Sequence, residues 1–100
     1  MSKYVVTQAP DGHEPHWIVK PSNFGPTAPG FEFMLDSESD SKLLAQMLNS
    51  RPAYQWVAEV NDMDHEELYQ ATLKIEDLKL EWSKMGIKIV TYAPVGHGLL

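Results

Sequence analysis

The segment from residue 61 to residue 86 constrains the fold more than any other part of this sequence. Its apolar residues recur at spacings of three and four, which is the period of one face of an α-helix. Asn61, Asp62 and Asp64 are candidate N-caps, Glu66 and Glu67 favour the positive end of the helix dipole, and Gly86 can end a helix in a left-handed conformation. The sequence therefore predicts a long helix that reaches Met85.

The apolar residues of this helix form two stripes on opposite sides, at about 100° per residue. The predicted core stripe comprises Leu68, Ala71, Ile75, Leu78, Trp82 and Met85. The second stripe, here called the outer stripe, comprises Tyr69, Leu73 and Leu80. A helix on one sheet buries a single apolar face, so the outer stripe is left for another surface. Either the first helix or the proline-rich loop covers it, or it is a surface for self-association or for a protein partner.

Several segments alternate apolar and polar residues, as half-buried strands do. Residues 4–8 and 17–20 are β-rich and enclose a turn, which predicts a long-looped hairpin. The stretch "FEFMLD" at 31–36 places its two phenylalanines and Leu35 on one face. The β-branched stretch 87–93 predicts a last strand. Residues 53–60 also alternate and predict a strand, and a helical continuation is the alternative that the pattern leaves open.

The remaining segments complete one domain over residues 1–100. Ser37 and Asp40 have the spacing of a capping box, and the leucine-rich stretch that follows predicts a first helix, which Pro52 ends. Prolines and glycines make Pro21–Gly30 the predicted long loop, and Pro94–Leu100 a tail. The sequence thus predicts an α+β fold, a mainly antiparallel sheet of about four to five strands with two helices on one face, in the order β-β-β-α-β-α-β.

The hairpin turn carries the one cluster of residues that suits a metal ion. Asp11, His13, Glu14 and His16 supply carboxylate and imidazole ligands. Gly12 and Pro15 prevent a helical face that would present both imidazoles together, and an exposed turn rarely orients such ligands through further hydrogen bonds. We therefore interpret the stretch as a polar turn and predict no metal and no cofactor. A small metal-assisted enzyme or ligand-binding protein that uses His13, His16 and Glu14 with His97 is the alternative.

Composition limits the function classes. The net charge of −6 opposes binding to phosphate backbones and to anionic lipid. The absence of cysteine excludes disulfides and thiolate nucleophiles, no catalytic serine motif is visible, and no catalytic residue is predicted. The start of the sequence resembles neither a signal peptide nor a membrane span, so a cytoplasmic location is expected.

The sequence therefore predicts a small acidic interaction module that binds a protein partner and associates with itself as a homodimer. Its predicted binding residues are the outer stripe and Phe24, an aromatic residue in the long loop. Composition of this kind is typical of accessory, regulatory or inhibitor proteins of bacteria and their phages. Mimicry of nucleic acid by the acidic surface is a lesser alternative.

Overall fold

The structure, a computed structural model, describes residues 3–10, 12, 16–22, 30–58 and 63–95. These residues form the strands β1 (Lys3–Gln8), β2 (Trp17–Ser22), β3 (Gly30–Leu35) and β4 (Thr91–Val95), and the helices α1 (Glu38–Ser50) and α2 (His65–Lys84). A 3₁₀ helix, Pro52–Ala58, lies between the two α-helices in the chain. The predicted α+β class and the order of elements are confirmed, with the 3₁₀ helix in the place of the fifth element.

The strands form one antiparallel sheet in the order β1-β2-β3-β4. The register pairs Val6 with Val19, Val19 with Phe33, and Phe33 with Tyr92, so these four side chains share one face. Both helices pack on that face, because a single cluster of buried residues unites the strands with both of them. Its members include Val19, Phe31, Phe33, Leu35, Leu44, Met47, Leu48, Ala71, Ile75 and Trp82.

Polar side chains begin both helices: Ser37 is the N-cap of α1, and Asp64, one of the three predicted candidates, is the N-cap of α2. The Ser37 hydroxyl accepts a hydrogen bond from the Asp40 amide at 3.2 Å. The Asp64 carboxylate accepts from the Glu67 amide at 2.8 Å, and the Glu67 carboxylate accepts from the Asp64 amide at 3.4 Å, which completes a capping box. Gly86 follows α2 with φ of 89°, the left-handed conformation that a glycine adopts without strain.

Pro21 lies inside β2, although the sequence assigns it to the long loop. It pairs with Tyr4 of β1. Extending the register of β2 and β3 by two residues beyond Val19 brings Pro21 opposite Phe31, where a proline has no N–H to donate. The Tyr4 hydroxyl reaches across and donates to the Phe31 carbonyl at 3.0 Å. The Tyr4 hydroxyl thus gives the Phe31 carbonyl a donor at a level of the sheet where Pro21 has no N–H to offer.

Gly30 is required where β3 enters the sheet beside this contact. Its φ is 145°, and a Cβ atom at this position would lie 2.5 Å from the Pro21 side chain and 3.2 Å from the Ala58 backbone. Gly30 therefore begins β3 and does not end a loop. Residues 23–29, the rest of the predicted loop, lie outside the described residues.

The predicted strand at 53–60 is wrong over the part that the structure describes, because Pro52–Ala58 forms a 3₁₀ helix. The buried residues Tyr54 and Val57 are three apart, which is one turn of a 3₁₀ helix. The Tyr54 amide donates to the Arg51 carbonyl at 3.0 Å, so the chain turns directly after α1. The segment therefore buries one side of a helix and does not bury every second residue as a strand would. Of the two predictions for this segment, the helical one describes it better.

Three further boundaries differ from the predictions. Met85 is 44% exposed and does not belong to the core stripe, because it lies in the turn that ends α2. The last strand begins at Thr91, and residues 87–90 approach the core without strand pairing, although Ile87 and Ile89 are buried. Pro94 and Val95 belong to β4 and not to a tail.

Neither α-helix among the described residues has the length and apolar character that a membrane span needs.

We expect Trp82→Ala to lower the free energy of unfolding by about 3–5 kcal/mol, because a fully buried indole is replaced by a cavity. Urea denaturation followed by circular dichroism measures the loss. Met85→Ala is the matched control from the end of the same helix, and it should change the free energy of unfolding by less than about 1 kcal/mol because Met85 is exposed. Equal effects of the two substitutions would contradict the assignment of the core stripe.

We expect Tyr4→Phe to lower the free energy of unfolding by about 1–3 kcal/mol, because the Phe31 carbonyl loses its donor where Pro21 cannot replace it. Tyr69→Phe removes a hydroxyl from an exposed ring and serves as the control. Urea denaturation of both variants makes the comparison. A Tyr4→Phe protein as stable as the control would show that the hydroxyl does not support the sheet.

Candidate functional site

The outer stripe lies on the solvent side of α2 because the inner side of the helix is anchored in the core. Ala71, Ile75 and Trp82 are buried, and Leu68 and Leu78 pack against the same core. The Trp82 ring meets Phe33 of β3 edge to face, with ring centroids 5.7 Å apart. These contacts fix the rotation of α2 about its own axis, so the residues opposite them must face outward.

The outer stripe is well exposed to solvent. Tyr69 is 59% exposed, Leu73 44% and Leu80 67%. Leu73 and Leu80 are seven residues apart, which is close to two helical turns, so their side chains lie almost in line. The sequence predicts both the position and the outward direction of these side chains. Their role in binding a partner stays a prediction.

The outer face of the sheet is a weaker candidate. Its described apolar residues Val5, Ile18, Met34 and Ala93 are all half-buried. The edges of the sheet are also partly closed. The Asn49 side chain, at the end of α1, accepts from the Tyr4 amide at 2.6 Å and donates to the Tyr4 carbonyl at 3.0 Å. Helix α2 therefore offers the most prominent apolar surface of the described residues.

Two cavities flank the outer stripe. One of about 440 Å³ lies between α2 and residues 88–89, and the lining includes Glu76, Lys79, Leu80, Ser83, Lys88 and Ile89. The other, of about 370 Å³, lies between α2 and the 3₁₀ helix and is lined by Trp56, Lys74, Asp77 and Leu78. Asp77 borders both cavities. The outer stripe is thus a ridge between two hollows, a shape that another helix can pack against.

Aromatic rings hold charged side chains on the two flanks of this ridge. The Lys74 ammonium lies 5.4 Å from the centroid of the Trp56 ring. On the other flank the Lys79 ammonium lies 6.0 Å from the centroid of the Tyr92 ring, and the Tyr92 hydroxyl donates to the Glu76 carboxylate. The charges therefore border the outer stripe at restrained positions.

The pKa of Tyr92 is raised to about 12. Burial of the phenol is the largest cause, followed by the hydrogen bond to Glu76 and the negative charge of that carboxylate. The fold thus favours the neutral phenol. The resulting stabilisation is complete below the unfolded-state pKa of about 10 and is lost as the pH rises through about 12.

Most of the other predicted site residues lie outside the part of the chain that the structure describes. Asp11, His13 and Glu14 lie outside the described residues, as do Phe24 and His97. His16 is described and exposed. Among the described residues, no group of three or more histidine or acidic side chains could hold a metal ion. The metal hypothesis and the role of Phe24 stay predictions.

Sequence reasoning misses Trp56 and Tyr92 as parts of this surface. Both reach α2 from distant positions in the chain, and no local pattern indicates that they contact lysines of that helix.

No protein-family model, no characterised protein and no solved structure matches this chain.

We expect Glu76→Gln to lower the pKa of Tyr92, because the negative charge that opposes ionisation of the phenol is removed. The value should stay above about 10, since burial is the larger cause. Ultraviolet absorbance titration, with Tyr92→Phe as the reference that identifies the transition, measures the change. An unchanged pKa would mean that Glu76 and Tyr92 are not in contact in solution.

Proposed function

We propose that this protein is a small interaction module that binds another protein surface through the outer stripe of α2. The observation that carries the proposal is the high exposure of Tyr69, Leu73 and Leu80 on a helix whose opposite side is already buried in the core. The fold has no need of these side chains for its own core. An apolar ridge of this kind gains free energy when a complementary surface removes it from water.

Magnitudes indicate what kind of binding the outer stripe can support. About half of its side-chain surface is still exposed, so complete burial of all three residues yields roughly 2–5 kcal/mol. Association costs an estimated 4–15 kcal/mol of lost freedom. The stripe alone therefore cannot sustain a tight complex, and the hollows and charges beside it must contribute contacts. A reversible association fits an accessory, regulatory or inhibitor role, which we place in the cytoplasm.

The charges around the outer stripe favour a protein over a nucleic acid as partner. Lysines and carboxylates alternate beside the stripe, with Lys74 and Lys84 close to Asp77 and Glu81. A groove for a phosphate backbone needs an excess of positive charge, whereas the chain has a net charge of −6. Mimicry of nucleic acid needs rows of carboxylates, which the interspersed lysines interrupt. A mixed surface suits another mixed protein surface.

We expect the double substitution Leu73→Glu with Leu80→Glu to abolish association while the protein stays folded, because both side chains lie outside the core. Light scattering measures association, and circular dichroism with urea denaturation measures folding. Leu43→Glu is the matched control, since Leu43 is a 41% exposed leucine on α1 and should leave association unchanged.

Two results would contradict the proposal. If the double variant unfolds, the outer stripe belongs to the intramolecular core. If Leu43→Glu and the double variant reduce association equally, the effect is general to exposed leucines and is not specific to α2.

A further inference from the structure

We propose that the partner surface is α2 of a second copy of this chain, packed antiparallel about a two-fold axis that passes beside Asp77. This inference rests on the proposed function and names its partner. A two-fold axis presents the same ridge to itself, so each contact occurs twice. Four observations support it: the spacing of the leucines, the distribution of charge along α2, the matched rim charges and the hollows beside the ridge.

The spacing of the two leucines suits a two-fold axis at Asp77. Leu73 lies four residues before Asp77, and Leu80 lies three residues after it. In an antiparallel pair each residue faces the one that is equally distant on the other side of the axis. Leu73 therefore lies within about 1.5 Å, measured along the helix, of facing Leu80 of the second copy. Both leucines are then covered in one symmetric contact.

The charge along α2 favours the antiparallel direction. The first turn carries Glu66 and Glu67, and the last turn carries Lys84. With the axis at Asp77, antiparallel packing places Glu67 of each copy about 4.5 Å, measured along the helix, beyond the level of Lys84 of the other, and it also opposes the two helix dipoles favourably. Parallel packing would instead bring like charges together at both ends.

The rim of the contact shows the same complementarity. Lys74 lies three residues before Asp77, and Glu81 lies four residues after it on the same flank of the helix. Antiparallel packing therefore places Lys74 of each copy near Glu81 of the other. In a parallel pair the same flank of the two copies lies on opposite sides of the contact, so Lys74 of one copy would not meet Glu81 of the other. The order of these charges thus selects the antiparallel arrangement.

The axis itself carries the unfavourable part of this arrangement. At the axis, Asp77 of one copy lies next to Asp77 of the other, and the two negative charges repel each other. The adjoining hollows leave room for water and counter-ions around both carboxylates. On the neighbouring position, the hydrogen bond from Tyr92 draws the Glu76 carboxylate towards β4 and so away from the line of the leucines. Removal of the Asp77 charge should therefore tighten the pair.

Charge-reversal variants test the direction of packing. We expect Glu81→Lys to weaken self-association about fivefold in sedimentation equilibrium, because the introduced ammonium then faces Lys74 of the other copy. Combining it with Lys74→Glu should restore the wild-type constant, since the pair is re-formed with its charges exchanged. Asp77→Asn should tighten association by about threefold. A combined variant that is weaker than Glu81→Lys alone would overturn the antiparallel arrangement.

Single cysteines provide a geometric test, because the chain has no cysteine of its own. Gln70 lies seven residues before Asp77 and Lys84 seven residues after it. A mixture of Gln70→Cys and Lys84→Cys proteins should form a disulfide-linked dimer under mild oxidation, while each protein alone should not, since a disulfide needs Cα atoms within about 7 Å. Self-linkage of Gln70→Cys alone would overturn the proposed register.

The outcomes separate this inference from the proposed function. A wild-type chain that stays monomeric up to about 1 mM, with a stripe variant that stays folded, overturns the second copy as partner and leaves the stripe as a surface for a different protein. Unfolding of the stripe variant overturns both. A wild-type dimer that persists in the Leu73→Glu, Leu80→Glu variant also overturns both, because the contact then lies elsewhere.

Discussion

The position of Trp82 determines most of what this structure can present to other molecules. Its ring packs edge to face against Phe33 and Tyr54, with ring centroids 5.7 and 5.5 Å apart. The contact joins α2, the sheet and the 3₁₀ helix at one fully buried side chain. The indole Nε1 has no hydrogen-bond acceptor among the described residues, which costs about 1–3 kcal/mol. Aromatic packing must therefore exceed that cost, and it fixes which side of α2 faces outward.

The edges of the sheet favour a helix over a strand as the surface for the proposed association. Sheets that pair through their edges need free backbone groups along an outer strand. On β1 the Asn49 amide satisfies both backbone groups of Tyr4. On β4, Pro94 has no N–H to offer a neighbouring strand. Strand addition is disfavoured at both edges, so exposed apolar surface on α2 is the more favourable route to a contact.

The sequence predicts the elements whose patterns have a single period, and it fails where two periods compete. The caps at Ser37 and Asp64 and the alternation of β3 are local signals, and the structure confirms them. In Pro52–Ala58 the same residues satisfy spacings of two and of three, and tertiary packing of Tyr54 and Val57 decides for the 3₁₀ helix. The sequence predicts Pro21 to be a loop residue because proline has no backbone N–H. The donor that takes the place of this N–H is the hydroxyl of Tyr4, seventeen positions earlier in the sequence.

The candidate site also has a part that the sequence predicts and a part that it does not. Helical periodicity alone predicts the outer stripe, because the direction of a side chain on a long helix follows from its number. The flanking hollows and the rings beneath Lys74 and Lys79 depend on how Trp56 and Tyr92 are brought to α2, which no local pattern encodes.

The separation of the core side of α2 from its outer stripe determines how substitutions on the surface affect the protein. The core side of α2 is buried at Ala71, Ile75 and Trp82, whereas the outer stripe lies on the opposite, exposed side of the helix. Substitutions on two surfaces without common partners add independently in their effects on free energy. The affinity of the outer stripe can therefore vary without loss of fold stability. Leu80 is two-thirds exposed, a cost in solubility that the fold does not require, and the proposed binding role accounts for it.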